Sequence, residues 1–411
     1  MNEINYSQKT DMLSMDDALS CLLEQARPIS GTEQVETKSS LGRVLAEPQV
    51  SSIDVPPFDN SAMDGYAVAC TDLDSTSTTH LRISQRISAG KVGVLLEPGT
   101  AARIFTGAPI PPGADAVVMQ EDCILEGRRL IILRQVIPGM NIRRAGEDIT
   151  IGTEILAKGT RIRPQEMGLV ASVGIASLSV YRKLRVAIFF TGDEIVMPGQ
   201  PLRPGQIYNS NRFSLSGLLE ALGCEVIDYG TVPDNLDATM EVLKRAAREA
   251  DLIVTSGGVS VGEEDHVKAA IELVGKINLW RIAIKPGKPL AFGKADDTFF
   301  IGLPGNPVAT LVTFFLFVRP FILRCQNIME VTPTRLQVCA GFVWAKPDKR
   351  RQFLRAQLKM IDGKATVNIY PNQSSAVLTS TVWADGLVDL PANAMVKRGD
   401  MVNYIPFSEV L

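Results

Sequence analysis

The chain has 411 residues, 45% of them hydrophobic and 21% charged, with 42 Lys and Arg against 45 Asp and Glu and a formal net charge of -3. At about 150 residues per domain, that length accommodates about three domains with real cores, and the near-average composition excludes wholesale disorder. The near-neutral balance excludes a protein-wide field that draws nucleic acid or anionic membrane, leaving room only for a local basic pocket.

Two histidines, His80 and His266, exclude a multi-histidine metal site and argue against a catalytic triad. The six cysteines (21, 70, 123, 224, 325 and 339) form no Cys-x-x-Cys pair. Neither a zinc ribbon nor a dense disulfide framework is indicated, and a reducing cytoplasm is the expected compartment. The first residues are acidic and polar where a signal peptide needs a basic start and an apolar core.

In chain order, Ser14 or Asp16 is positioned to cap a helix over "MDDALSCLLEQAR", whose Ala18, Leu19, Leu22 and Leu23 share a face. The stretch "PPFDNSAMDGYAV" (56–68) follows, with prolines, aspartates, an asparagine and a serine that disfavour helix and strand interiors, ending in apolar Tyr66, Ala67 and Val68. It reads either as a surface loop or as a loop built to place carboxylates at a site. The runs "ARIFTG", "DAVVMQE" and "RLIILRQV", separated by Pro and Gly clusters, predict a small β-rich domain over 51–145. A short strand and a helix from Pro164 are predicted over 146–182, a segment with too little apolar surface for its own core, which is grouped with 1–50 as a helical and linker domain.

From Lys183 strands and helices alternate: "LRVAIFF", "NRFSLSGLLEALG", "CEVIDYG", "LDATMEVLKRAAREA", "DLIVTSGG" and "EEDHVKAAIELVG". That alternation predicts a three-layer α/β domain with a mostly parallel sheet over 183–328. The most apolar run, 308–318, reads as a buried helix bounded by Arg319-Pro320 and too short to span a bilayer. Short β runs return over 329–411 and predict a small barrel-like or sandwich domain.

Ligands of an open parallel sheet bind beyond the carboxyl ends of its strands. The loop from Ser256 through Gly257, Gly258, Ser260 and Gly262 leads into a helix N-terminus, which favours an anion such as phosphate; alternatively it is a tight turn needing glycine. Its spacing matches neither standard nucleotide-binding glycine pattern. Glu194, Asp234 and Asp265 close three neighbouring loops and suit Mg²⁺, although Asp265 could equally cap its helix and Asp234 start a turn. Lys285 and Lys288 flank Pro286-Gly287 and suit a phosphate or oxyanion, or form a solvated charge pair. Arg350, Arg351 and Arg355 read as surface charges on a β-strand, although arginines also grip tetrahedral oxyanions.

Taken together, "DVPPFDNSAMDGYAV", "RIFTGAPIPPGAD", "NIRRAGEDI", "FFTGDEI", "GQIYNSN", "TSGGVSVGEEDH", "IAIKPGKPLAFG" and "GLPGNPVA" strongly resemble, in order, the molybdopterin molybdenumtransferase family, which is related to the C-terminal region of gephyrin. The resemblance covers nearly the whole chain. It implies an elongated cytoplasmic homodimer of four-domain subunits with active sites shared between subunits, 183–328 being the molybdopterin-binding domain. The implied reaction is Mg²⁺-dependent insertion of molybdate into adenylylated molybdopterin, with release of AMP.

Matched residue by residue, the resemblance implies catalytic roles for Asp59, Thr106, Asp148, Glu194, Asp234, Asp265 and Lys285, and metal ligation by Glu194, Asp234 and Asp265. Substrate contacts are expected from Ser256, Gly257, Gly258, Ser260, Arg281 and Lys288. They are also expected from the 304–307 turn (Pro304, Gly305, Asn306, Pro307) and from Arg351, Arg355 and Ser375. Implied protein partners are the molybdopterin adenylyltransferase and molybdoenzyme maturation proteins. The chain departs from the family pattern at Arg281, where lysine is common, at Ala309, where serine is frequent, and at "QSS", where Ser374 replaces glycine and leaves Ser375 the matching hydroxyl. Two other readings stay open: a molybdopterin adenylyltransferase, which should lack the material before residue 183, and a gephyrin-like scaffold without turnover.

Overall fold

The computed structural model describes residues 12–74, 79–258 and 266–410. The chain divides into two compact units. The first holds the chain up to Glu33, residues 42–44 and the chain from Val180 onward; the second holds Gln34–Leu41 and Leu45–Ser179.

Helix α1 (Met15–Gln25), the helix expected there, lies in the first unit, and Ser14 rather than Asp16 caps it: the Ser14 side chain accepts from the Asp17 N–H. Its Met15, Ala18 and Leu22 are buried on one face.

In the second unit, six strands form one sheet: β1 (Gly65–Val68), β2 (His80–Ile87), β3 (Thr100–Ile104), β4 (Ala116–Met119), β5 (Cys123–Glu126) and β6 (Arg129–Ile132). They stand in the order β4-β1-β3-β2-β6-β5, with only β2 and β3 parallel. Alternation sends Tyr66 and Val68 into one apolar cluster and Ala67 into another, so both faces of β1 are covered. This accounts for the apolar end of "PPFDNSAMDGYAV": the loop feeds an inner strand. Gly65 is required there because a Cβ would lie 1.9 Å from the Val118 carbonyl oxygen. Helix α2 (Pro164–Ser172) completes this unit with proline in its first turn, where the missing N–H costs no helical bond.

The first unit continues with β7 (Arg185–Thr191), α3 (Ser210–Ala221), β8 (Glu225–Val232), α4 (Leu236–Glu249), β9 (Leu252–Ser256) and α5 (His266–Val274). Then come β10 (Gly275–Arg281), β11 (Pro289–Ala295) and β12 (Thr298–Leu303). The sheet order is β8-β7-β9-β12-β11-β10, with β8, β7, β9 and β12 parallel and β11 and β10 antiparallel. Helices α4 and α5 pack Val242, Leu243, Ala246, Val267 and Ile271 onto Ala187, Phe189, Ile253 and Phe300. Val186, Ile188 and Phe190 alternate to the other side of β7 and are also fully buried, which is why the strand is a continuous apolar run.

The apolar run does not stop at Arg319-Pro320. A single helix, α6 (Pro307–Cys325), passes through it by way of a π-helical turn, Phe314–Val318. The i→i+5 spacing accommodates a proline whose ring and missing N–H would break a regular α-helix. At 19 residues this helix has the length and composition to cross a membrane, but 83% of its most apolar window is buried within the protein, as a core helix is.

The C-terminal strands β13 (Leu336–Ala340), β14 (Arg351–Ile361), β15 (Lys364–Ile369), β16 (Gly386–Leu390) and β17 (Met401–Pro406) close a five-stranded barrel in the order β14-β15-β13-β17-β16, with β16 returning to β14. A short strand before the barrel, Ile284–Lys285, pairs in parallel with the start of β14.

Candidate active site

In the first unit a cavity of about 1030 Å³ opens at the carboxyl ends of β7, β9 and β12. Glu194 lies just after β7 and Asp234 just after β8, and both line the cavity. Gly192 (φ 141°) shapes the first of these loops, since a Cβ there would lie 2.6 Å from the Glu194 Oε2 atom. The residue that caps α4 is Asn235, whose side chain accepts from the Ala238 N–H.

Ser256 ends β9 and the turn after it carries Gly257 and Gly258, all three lining the cavity. Gly257 and Gly258 have φ of 92° and 61°, a region that other residues adopt only with strain, and a Cβ on Gly258 would meet Val267 of α5 at 2.7 Å. Ser256 Oγ donates to the Pro304 carbonyl oxygen (2.9 Å), and Asn211 Nδ2 donates to Ser256 Oγ (2.8 Å) and to the Gly305 carbonyl (2.7 Å). These bonds lock the β9 and β12 turns together. Ser260 and Asp265 lie outside the described residues, as does the join between this turn and α5.

Pro304, Gly305, Asn306 and Pro307 all line the cavity, with Pro307 starting α6. The first N–H of that helix, on Val308, donates to the Ser375 carbonyl at 3.0 Å, and Ser375 also lines the cavity.

Lys285 and Lys288 also line the cavity, together with Arg350, which immediately precedes β14 of the barrel. Ile284 pairs with Arg351 and Lys285 with Gln352, which brings Lys285 to the segment that carries Asp348 and Arg350. Both cations bond Asp348: Lys285 Nζ at 3.0 Å, Arg350 Nη2 at 3.0 Å to the same oxygen, and Arg350 Nε at 3.0 Å to the other. The Arg350 guanidinium, then Lys285, hold the Asp348 carboxyl far below the usual carboxylate range.

The other barrel arginines do different work. Arg355 is 1% exposed, not a surface charge as its sequence context suggests. Its guanidinium donates to Ser380 Oγ and to the carbonyls of Asn372 and Ser374, and burial pulls its pKa down to about 10. Arg351 makes two 2.7 Å bonds to the buried Asp389. Arg281, Arg351 and Arg355 do not line the cavity. Gln373, tied to Arg355 through both the backbone N–H and carbonyl of that residue, does.

Asp59, Thr106 and Asp148 belong to the second unit. Asp59 accepts from the Ala145 N–H (2.8 Å) and from Arg144 Nη1 (2.6 Å), contacts that hold its carboxyl ionised below the ordinary range against a small burial penalty. Thr106 donates its hydroxyl to Asp64, which also accepts the Thr106 N–H. Asp148 is exposed, and its N–H donates to the Val55 carbonyl.

Sequence reasoning did not single out Asp348, Gln373 or the two asparagines Asn209 and Asn211. The asparagines sat in the quoted "GQIYNSN" motif and Gln373 in "QSS", but Asp348 carries no local signal, since folding alone brings it to Lys285. Among the described residues no group of three or more His, Cys, Asp or Glu side chains could hold a metal ion.

Glycine turns, carboxylates and cations gathered beyond the carboxyl ends of an open parallel sheet define a ligand-binding α/β protein. Family models match almost end to end: the MoeA N-terminal region (domain I and II) at residues 13–174, a probable molybdopterin binding domain at 187–324 and the MoeA C-terminal region (domain IV) at 337–407. A molybdopterin molybdenumtransferase of Haemophilus influenzae is 42% identical over 405 residues, 97% of this chain and 100% of that one, and one of Nostoc is 39% identical over 81% of this chain and 78% of its own length. The crystal structure of a molybdopterin biosynthesis MoeA protein from Pyrococcus horikoshii superposes with a TM-score of 0.82 at 30% identity, covering 96% of this chain and 100% of that chain. The chain belongs to the molybdopterin molybdenumtransferase family, whose activity is molybdenum insertion in molybdenum cofactor biosynthesis.

Proposed function

We propose that this protein inserts molybdate into adenylylated molybdopterin in a Mg²⁺-dependent reaction, releasing AMP and leaving molybdenum on the dithiolene. The observation that carries this reading is one cavity lined by Glu194 and Asp234 and also by Lys285, Lys288 and Arg350. A phosphate ester needs cation-bridged carboxylates, and a tetrahedral oxyanion needs fixed positive groups.

The donor set fits Mg²⁺. Glu194 and Asp234 offer hard carboxylate oxygens, and the space around the Glu194 carboxylate is one that a Cβ on Gly192 would fill. Asp265 is the proposed third ligand. Bound there, Mg²⁺ supplies Lewis-acid stabilisation of phosphate charge. The protein's own groups do the rest: the Ser256–Gly258 turn and the 304–307 turn cradle the substrate, and preorganised Lys285, Lys288 and Arg350 stabilise anionic charge without a histidine base. Ser375 contributes its hydroxyl, Arg355 contributes through the Asn372 and Ser374 carbonyls that it holds, and Arg351 through the strand that it ties to Asp389.

The working form is a cytoplasmic homodimer in which Asp59, Thr106 and Asp148 of one subunit serve the cavity of the other. The matches before residue 183 and at the barrel support insertion over adenylyl transfer, and the charged cavity supports catalysis over scaffolding. The test is incubation with adenylylated molybdopterin, molybdate and Mg²⁺: AMP should appear in step with molybdenum incorporation, and AMP release independent of molybdate overturns the reading.

A further inference from the structure

Asp348 stands out because its two strongest partners are both proposed ligand groups. It does not itself line the cavity, yet Oδ2 accepts from Lys285 Nζ and Arg350 Nη2 at 3.0 Å each, and Oδ1 accepts from the Arg350 N–H at 3.1 Å and Nε at 3.0 Å. The side chain is 19% exposed, against 49% for Lys285 and 27% for Arg350, so water screens it least of the three. The cluster therefore carries one net positive charge where two cations face the cavity. Asp348 is held by the barrel: the Asn393 N–H donates to its carbonyl at 2.7 Å. Lys285 ends the short strand that pairs in parallel with β14, with Ile284 opposite Arg351 and Lys285 opposite Gln352. The carboxylate thus joins the cations of two structural layers at one point.

We propose that Asp348 is an internal counter-anion that sets how strongly the cavity binds an oxyanion, an inference that rests on the reading of Lys285 and Arg350 as oxyanion ligands. A carboxylate and a tetrahedral oxyanion recognise the same N–H groups in the same geometry. An incoming dianion must share or displace the Asp348 contacts, so its net gain is reduced by the interaction already present. This leaves Lys285 and Arg350 ordered before ligand arrives but makes the site weaker than its cations alone would be. The arrangement suits a substrate that must be bound, transferred and not retained.

The test is equilibrium binding of molybdate alone to the full-length protein by isothermal titration calorimetry, with wild type, Asp348→Asn, Asp348→Ala, Asp348→Glu and Lys285→Ala compared at one ionic strength. Removing the carboxylate charge in Asp348→Asn and in Asp348→Ala should tighten molybdate binding about threefold to tenfold, since a unit charge a few ångströms away acts on this scale at a partly solvated site. Asp348→Glu, which keeps the charge, should bind within about twofold of wild type. Lys285→Ala should weaken binding. If Lys285→Ala weakens binding while both neutral Asp348 variants bind as wild type or more weakly, the counter-anion role is overturned and the oxyanion reading stands. If Lys285→Ala leaves molybdate binding unchanged, the oxyanion reading of this cavity falls and the inference falls with it.

Discussion

Asn211 Nδ2 donates to Ser256 Oγ and to the Gly305 carbonyl, so one side chain from the start of α3 ties together the turns that follow β9 and β12. Asn211→Asp replaces that donor with a carboxylate facing an acceptor. We expect a stability loss of about 1–3 kcal/mol, the usual cost of leaving buried polar groups unpaired, and a much larger relative loss of molybdenum insertion. Thermal unfolding and AMP-release assays on one preparation measure both, and an enzyme of normal activity would show that the tie does not set the site.

Gly192→Ala places a Cβ against the Glu194 carboxylate in a backbone conformation that disfavours side chains. Displacing one proposed ligand should raise the Mg²⁺ concentration for half-maximal AMP release at least tenfold, on the scale of losing one well-placed interaction of about 1.4 kcal/mol. A Mg²⁺ titration of the variant gives the answer directly; an unchanged half-point removes Glu194 from the metal site.

Asp59 is anchored to Ala145 and Arg144, yet it is partly exposed, so the ion pair itself is worth under about 1 kcal/mol. Asp59→Ala should therefore melt close to wild type while losing activity. Co-expressed with Asp234→Ala, it should give mixed dimers that regain one intact site. Verified mixed dimers without activity would show that Asp59 does not act across subunits.

Asp251 accepts from both Arg182 nitrogens at 2.7 and 2.8 Å and from the Arg185 N–H at 2.8 Å. Burial pushes its carboxyl up, but these donors together push it further down, leaving the folded-state pKa below the usual value. Its stabilisation is then fully present above the unfolded value near ~3.9 and is lost as pH falls through the lower folded value. Asp251→Asn should cost about 1.5–3 kcal/mol at pH 7, and the gap to wild type should narrow below about pH 4. Melting curves from pH 7 to pH 3 decide it: a gap constant with pH rules out this linkage.

Sequence periodicity by itself determined the strand and helix alternation after Lys183, because both faces of a parallel sheet must be apolar and its helices amphipathic. "RVAIFFT" and "LIVTS" admit little else. Gly258 was legible as a turn glycine but not its contact with Val267, and nothing local marks Gly65, where the Val118 carbonyl excludes a Cβ. The loops bearing Glu194, Asp234 and Ser256 were legible too, since strand order fixes which ends face a ligand. Only tertiary structure decided the fate of the charges. Arg350 and Arg355 are five residues apart on one β run, but one reaches the cavity and the other is buried under the 372–374 carbonyls. Barrel closure, a set of hydrogen bonds between strands distant in sequence, makes that difference. Pairing of Ile284–Lys285 with the start of β14 brings Asp348 to Lys285, 63 residues away, and no local pattern encodes a contact across that separation.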